Sequence, residues 1–336
     1  MPRRLLSLVA LTVAFVLALP AASWACGGLV AGKHAEVLTK AVSLAAWVDG
    51  VEHYITGFEF AGTADSFGYI IPLPAPPTEI RKGGDWTLER LEREAFPPPP
   101  VPQADFAVAA GELADQSVEV LKAVKIDSLD IKVVRGGGRD VAAWARDHDF
   151  LMTPDTDDLL AQYKANIFAL AKFDKTEAQK KFVKGQGVVI DFEIPLPGPW
   201  IPLRILSLGK HEAEQINAHL FMLTPERPVI TPALDTLEGM TVVRDEWASD
   251  ELIADLRSDT GTQWIPEKMW FTALELVAPS PTVTYDIAAL GTGGITPVDP
   301  TGGDSRDGTW AWWLILTALG AAVLGISRRR ASRPAS

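Results

Sequence analysis

Residues 41–60 read AVSLAAWVDGVEHYITGFEF, and this stretch decides the fold. Asp49-Gly50 separates two apolar segments rich in β-branched and aromatic side chains, the pattern of a hairpin with a two-residue turn. In the second segment Tyr54, Phe58 and Phe60 share one parity, and Val51, His53 and Ile55 the other. Successive strand residues point to opposite faces, so both faces of this strand are apolar in part. That predicts a central strand, or a bulge at Gly57.

Working outward, residues 67–73 form a further strand that runs into Pro72-Leu73-Pro74-Ala75-Pro76-Pro77, a helix-hostile exit. Asp85 is placed to cap a short helix with Trp86, Leu88 and Leu91 facing inward and Glu89, Arg90, Glu92 and Arg93 outward. The run from Phe96 to Pro102, FPPPPVP, is a stiff connector or a ligand for a partner's aromatic groove. Residues 117–135 predict a second hairpin turning at Asp127-Ser128. A helix follows from Asp140 through Trp144, then one capped by Thr153-Pro154 and holding Leu159, Leu160 and Tyr163. Strands are predicted over 167–173 and 188–194, with an extended segment over 218–223. Ser249 or Asp250 caps a helix over Leu252, Ile253 and Leu256, and strands over 269–277 and 283–287 close the region. Phe192-Glu193-Ile194-Pro195-Leu196-Pro197 echoes Phe58-Glu59-Phe60 and Ile71-Pro72-Leu73-Pro74, each a strand ending in a proline pair. The fold class is therefore α+β, with mixed or antiparallel sheets and short helices in one domain.

The two ends carry a different signal. Arg3 and Arg4 precede an apolar run from Leu5 to Leu19, and Pro20 leads to the small-residue exit Ser23-Trp24-Ala25. That is an export signal cleaved after Ala25, which leaves Cys26 as the mature N-terminus. A lipoprotein signal also cuts before a cysteine, but Ser23 and Trp24 suit it poorly. At the other end Trp310 to Ile326 is apolar except for Thr317, and Arg328, Arg329, Arg330 and Arg333 follow. A helix rising about 1.5 Å per residue makes this run roughly 26 Å long, near the short limit for a membrane span. Trp310, Trp312 and Trp313 suit the outer interface, and the arginine cluster marks the cytoplasmic side. The expected order is a signal peptide over 1–25, an exported domain over 26–290, a Gly/Thr/Pro/Asp-rich stalk over 291–308, a single C-terminal transmembrane helix over 309–327 and a basic tail over 328–336. A C-terminal sorting signal has a similar outline, but no LPxTG-type motif is present.

Charge agrees with this partition. All 43 acidic residues lie between the two apolar ends; two of the 31 basic residues sit in the leader and four in the tail, leaving 25. Nucleic acid and anionic headgroups are poor partners for so acidic a region. With one cysteine, no disulfide within the chain is available.

The motifs CGGLV (26–30), VDGVEHYITGFEFAG (48–62), FGYIIPLPAPPTEI (67–80) and KGGDWTLERLERE (82–94) together resemble the DUF2330 family of exported bacterial proteins. WARDHDFLMTPDTDDLLAQYKANIFALAKF (144–173) and IPLRILSLGKHEAEQINAHLFMLTPERP (201–228) extend the likeness to about Pro228. The resemblance implies an export route and a topology; it implies no activity. Some relatives have a second cysteine soon after the first, which this chain lacks, so no disulfide carries over.

Chemistry is sparse. His211-Glu212-Ala213-Glu214-Gln215 misses the HExxH zinc signature at its last position, and His219 is two helical turns from His211. Glu52 and His53 are strand neighbours on opposite faces and cannot share a ligand. His34 and Glu36 can share a face if extended, and a hairpin that brings His53 near them makes a cation site, the one metal candidate. Arg135-Gly136-Gly137-Gly138-Arg139-Asp140 lacks the Lys-Ser/Thr of a phosphate loop and reads as a permissive strand-to-helix turn. No nucleophile elbow is present. The seven tryptophans between the two ends chiefly fill the core, with Trp200, among Pro197, Gly198, Pro199 and Pro202, the best candidate for exposure on a glycan platform. No cofactor is expected. The sequence predicts a membrane-anchored, non-enzymatic cell-envelope binding module for a protein or polymer partner. The alternative is an extracytoplasmic enzyme whose metal or carboxylate site is assembled from distant segments.

Overall fold

The computed structural model describes residues 28–31, 40–59, 67–97, 118–150, 152–164, 166–173 and 187–290. The chain divides into two units, Met1–Thr301 and Gly302–Ser336, and every described residue belongs to the first. The predicted signal peptide and its Ala25/Cys26 cleavage point lie outside the described residues, as do the polyproline run from 98, the stalk, the helix over 309–327 and the basic tail. No helix among the described residues is long and apolar enough to cross a membrane.

In chain order the elements are β1 (Gly28–Ala31), β2 (Ala41–Val48), β3 (Val51–Glu59), β4 (Phe67–Leu73), β5 (Glu79–Lys82), α1 (Thr87–Ala95), β6 (Glu119–Ile126), β7 (Leu129–Arg135), α2 (Gly138–Asp147), α3 (Thr156–Leu160), β8 (Ile167–Phe173), β9 (Gly187–Pro195), β10 (Trp200–Ile201), β11 (Gln215–Thr224), β12 (Val229–Thr231), β13 (Met240–Trp247), α4 (Asp250–Ser258), β14 (Trp270–Pro279) and β15 (Ile287–Leu290). They form a seven-stranded sheet in the order β13-β14-β11-β2-β3-β9-β5, a five-stranded sheet β1-β4-β8-β7-β6, and a small sheet β10-β15-β12. All pairings are antiparallel except β2 with β11.

Strand alternation then layers the molecule. On one face of the large sheet Tyr54, Ile190, Phe192, Leu220 and Leu274 pack with Tyr69, Ile71, Ile131 and Val133 of the five-stranded sheet. On the other face Leu44, Ile55, Phe221 and Phe271 pack with Leu88 and Leu91 of α1 and Leu252 and Leu256 of α4. The outer face of the five-stranded sheet buries Ile70, Val134 and Phe168 under Val141 and Trp144 of α2 and Leu160 of α3. The order is helix, sheet, sheet, helix, an α+β architecture in which β2 and β3 are covered on both faces.

The first hairpin forms as the sequence predicts, with Asp49 at φ 50° and Gly50 at φ 85°. Gly57 pairs with Val189 without a register shift, so β3 is central rather than bulged. The hairpin at Asp127-Ser128 and the cap at Ser249, whose Oγ accepts from Leu252 N at 3.1 Å, also hold.

Four local expectations change. Asp85 does not cap α1: its carboxylate turns to Lys82 Nζ, and the N-terminus of the helix is served by Asp259 from across the layer. Glu92 is buried rather than outward-facing. Tyr163 follows the five-residue α3 instead of lying within it. Residues 283–286 are not a strand, since the chain makes a short 3₁₀ turn over Ser280–Thr282 and β15 begins only at Ile287. Five strands, β1, β5, β10, β12 and β13, have no counterpart among the sequence-based expectations.

Candidate functional site

Strand register assembles a polar cluster on the helix-covered face of the large sheet. His53 of β3 lies directly opposite Glu193 of β9, and Ile55 opposite Asp191. On the other side of β9, Glu79 faces Glu193 and Arg81 faces Asp191. Because Asp191 and Glu193 are two apart in one strand, both carboxylates project to the same face as His53. His53, Asp191 and Glu193 offer ligand atoms that all lie within 4.8 Å of one another.

Arg81 threads this group together. Its Nε donates to Asp191 Oδ2 at 3.2 Å, and the guanidinium also pairs with Glu193 and, at 3.5 Å, with Glu79. His53 Nδ1 sits 3.1 Å from Asp191 Oδ2 and 3.3 Å from Arg81 Nη2. The tautomer decides the role of this nitrogen: with a hydrogen on Nδ1 it donates to Asp191, and without one it accepts from Arg81. Trp264 covers the imidazole in a parallel stack, ring centroids 3.5 Å apart. Two buried polar atoms here, Asp191 Oδ1 and Trp264 Nε1, have no hydrogen-bond partner among the described residues. His34 and Glu36, the other members of the predicted cation site, lie outside the described residues. The His53 part of that expectation thus gains two carboxylates the sequence reading did not name. The signal was present in the Asp191-Phe192-Glu193 alternation, but only the register of β3 on β9 connects it to His53.

A second histidine on the same face, His219 of β11, has a structural setting. Its Nδ1 pairs with Glu92 Oε1 at 2.7 Å, Lys40 Nζ donates to Glu92 Oε2 at 2.6 Å, and Phe96 stacks on the imidazole at 3.6 Å. Burial works to raise the Glu92 pKa, but the hydrogen bonds and charges of His219 and Lys40 outweigh it and hold the carboxyl below its usual value. His211 and Glu212 lie in an exposed turn, not a helix, in keeping with the absence of a zinc-protease reading.

Glu52, on the opposite face from His53, is fully buried between the sheets; Oε1 accepts from Trp200 N at 2.8 Å and Oε2 has no partner among the described residues. Burial pushes its pKa well above the ordinary 4.5, against the smaller lowering effect of the Trp200 bond. A carboxyl whose folded pKa is raised stabilises fully below pH 4.5, and that contribution is lost as pH rises toward the folded value. Glu52→Gln is accordingly expected to raise the thermal midpoint at pH 7–8 and leave it unchanged near pH 4, which calorimetry across that range checks.

The same backbone bond buries Trp200, which is 4% exposed and not a platform residue. Among the described residues the exposed tryptophan is Trp247 at the end of β13, 44% accessible. Its ring meets Trp270 edge-on at 5.3 Å and carries Lys268 Nζ 4.2 Å from the centroid, a cation–π contact. Trp270 Nε1 donates to Asp245 Oδ1 at 2.7 Å, and Arg227 pairs with the same carboxylate. Val242, on the same strand, is 47% exposed. β13 ends the large sheet and pairs with β14 alone.

A family model described as an uncharacterized protein conserved in bacteria, DUF2330, matches residues 20–288. No curated protein matches the chain. Similar solved structures include two of one viral protein. The crystal structure of baculovirus P35 shares 10% identity at a TM-score of 0.40, covering 77% of this chain and 98% of that one. A mutated baculovirus P35 after caspase cleavage shares 10% at 0.39, covering 75% and 99%. At these TM-scores neither likeness bears on function.

Proposed function

The chain belongs to the DUF2330 family of bacterial proteins, and from that premise we propose that it is a non-enzymatic binding module of the cell envelope. In this reading it is exported, held beside the membrane by the helix over 309–327, and captures an extended segment of a partner protein along β13. The observation that carries it is the terminal position of β13 in the large sheet, with Trp247 and Val242 nearly half exposed along it. A terminal strand presents a row of backbone donors and acceptors that an incoming strand can pair with, while alternate side chains supply selectivity. The register shift between Val242 and Arg244 adds a local twist to that edge without ending it. The Trp247–Trp270 pair beside it offers rigid, amphipathic contact area.

The test is photo-crosslinking in the native bacterium with benzoylphenylalanine in place of Glu246. A discrete adduct is expected, retained in the membrane fraction and lost when Val242→Lys is added, because a lysine on a strand edge opposes pairing. Val242 is exposed, so that change is expected to move stability by no more than about 0.5 kcal/mol. An adduct pattern indifferent to Val242→Lys, or no adduct at all, refutes the edge as the binding surface.

A further inference from the structure

The cluster at the opposite end of the large sheet supports an inference independent of the β13 edge. We propose that His53, Asp191 and Glu193 form a binding site for a divalent transition-metal ion of zinc-like preference, and that Arg81 is its built-in competitor.

The donor set is one imidazole nitrogen and two carboxylate oxygens, which suits a borderline cation such as Zn²⁺. Tetrahedral ligands at zinc distances stand about 3.4 Å apart. The 3.1 Å between His53 Nδ1 and Asp191 Oδ2 is close to that, and all three donors fall within 4.8 Å. Two of the three sit on one strand and the third on its hydrogen-bonded neighbour, both interior strands of the sheet, so the donors are held by rigid elements.

Charge points the same way. Glu79, Asp191 and Glu193 gather round a single guanidinium. One positive charge against three carboxylates leaves the group undercompensated in a place where Asp191 is 1% exposed, and burying uncompensated charge is costly. Asp191 Oδ1 adds a second, independent sign: a buried carboxylate oxygen with no donor among the described residues calls for an explanation by water or an ion.

Arg81 and a metal compete for the same oxygens. Arg81 reaches them from β5, a four-residue edge strand, and its side chain is 28% exposed. It also has Glu79, 55% exposed, as an outlying partner on its own strand. A divalent ion taking Asp191 and Glu193 leaves Arg81 the Glu79 pair, so all three carboxylates are compensated once the ion is bound. Trp264, stacked on His53, shields the imidazole from bulk water in both.

The experiment is equilibrium dialysis of the purified full chain, stripped with chelator, against Zn²⁺, with bound metal measured by mass spectrometry and folding by near-ultraviolet circular dichroism. One ion per chain is expected. His53→Gln and Glu193→Gln each lower the affinity at least tenfold, Glu193 being the more exposed and the safer for folding. Arg81→Gln raises the affinity about tenfold, because it removes the competing charge. That sign separates the proposal from a purely structural ion-pair network, in which loss of Arg81 weakens the fold and leaves zinc binding unchanged. Zinc retained at full affinity in folded His53→Gln, or affinity unchanged or lowered in folded Arg81→Gln, overturns it. The Val242→Lys chain is expected to bind Zn²⁺ normally, so failure here and failure of the β13 edge are told apart.

Discussion

Asp259→Ala is expected to destabilise the folded domain by about 3 kcal/mol, read as a lowered midpoint in urea with an unchanged slope. Asp259 is 2% exposed and ends α4, yet it acts as the cap of α1. Its carboxylate accepts from Asp85 N and Trp86 N, both at 3.0 Å, and from Thr87 Oγ1 at 2.7 Å. Helix N-termini leave their first amides without partners, and here a distant chain segment supplies the acceptor. Alanine strands these three donors together with Thr260 N, which also donates to Oδ1 at 2.7 Å, at a cost of a little under about 1 kcal/mol each. The turn before α1 is built for this contact: Gly84 has φ +90°, and a Cβ there would stand 2.6 Å from Asp259 Oδ2. Asp259→Asn keeps one acceptor oxygen and is expected to lose about half as much. An Asp259→Ala midpoint within experimental error of the parent would show that α1 is held by Leu88 and Leu91 alone.

Gly138→Ala is expected to cost about 3 kcal/mol, while Gly136→Ala costs less than 1. The two glycines belong to one run, Gly136-Gly137-Gly138, which reads as a permissive turn. Their surroundings differ. A Cβ on Gly138 would lie 2.1 Å from the Leu160 carbonyl carbon and oxygen, so α2 and α3 cross with backbone against backbone. On Gly136 the nearest atom is a Val141 methyl at 3.3 Å, which can give. Gly138 therefore sets the helix spacing that buries Val141, Trp144 and Leu160 against the five-stranded sheet. Urea unfolding of the two variants side by side checks the contrast.

These cases show where local reading of the chain works and where it stops. Asp49-Gly50 and Asp127-Ser128 announce their hairpins because the turn and both strands are contiguous. The apolar parity of β2 and β3 is enough to make them central. β13, MTVVRDEW, went unread because a terminal strand that faces solvent has no apolar face to repeat. Asp85 looked like a cap because it stands beside the helix start, but capping depends on which carboxylate is near in space. Trp200 looked exposed among prolines, whereas pairing with Ala288 and donation to Glu52 take it inside. The polar cluster followed the same rule: His53 was read as one member of a cation site, and its partners on β9 and β5 come from register, which parity within one strand does not supply.

The parallel pairing of β2 with β11 carries a consequence for how the chain reaches this state. The hairpin β2–β3 is complete early, but the free side of β2 has its partner only in a strand from the last half of the sequence, and β11 in turn needs β14. A nascent chain passes through most of its length with a long apolar strand lacking a neighbour, the condition that slows folding and invites wrong pairings. Acquisition of the fold is thereby tied to completion of the polypeptide. Stopping short of residue 215 leaves one side of β2, an eight-residue apolar strand, as an open template.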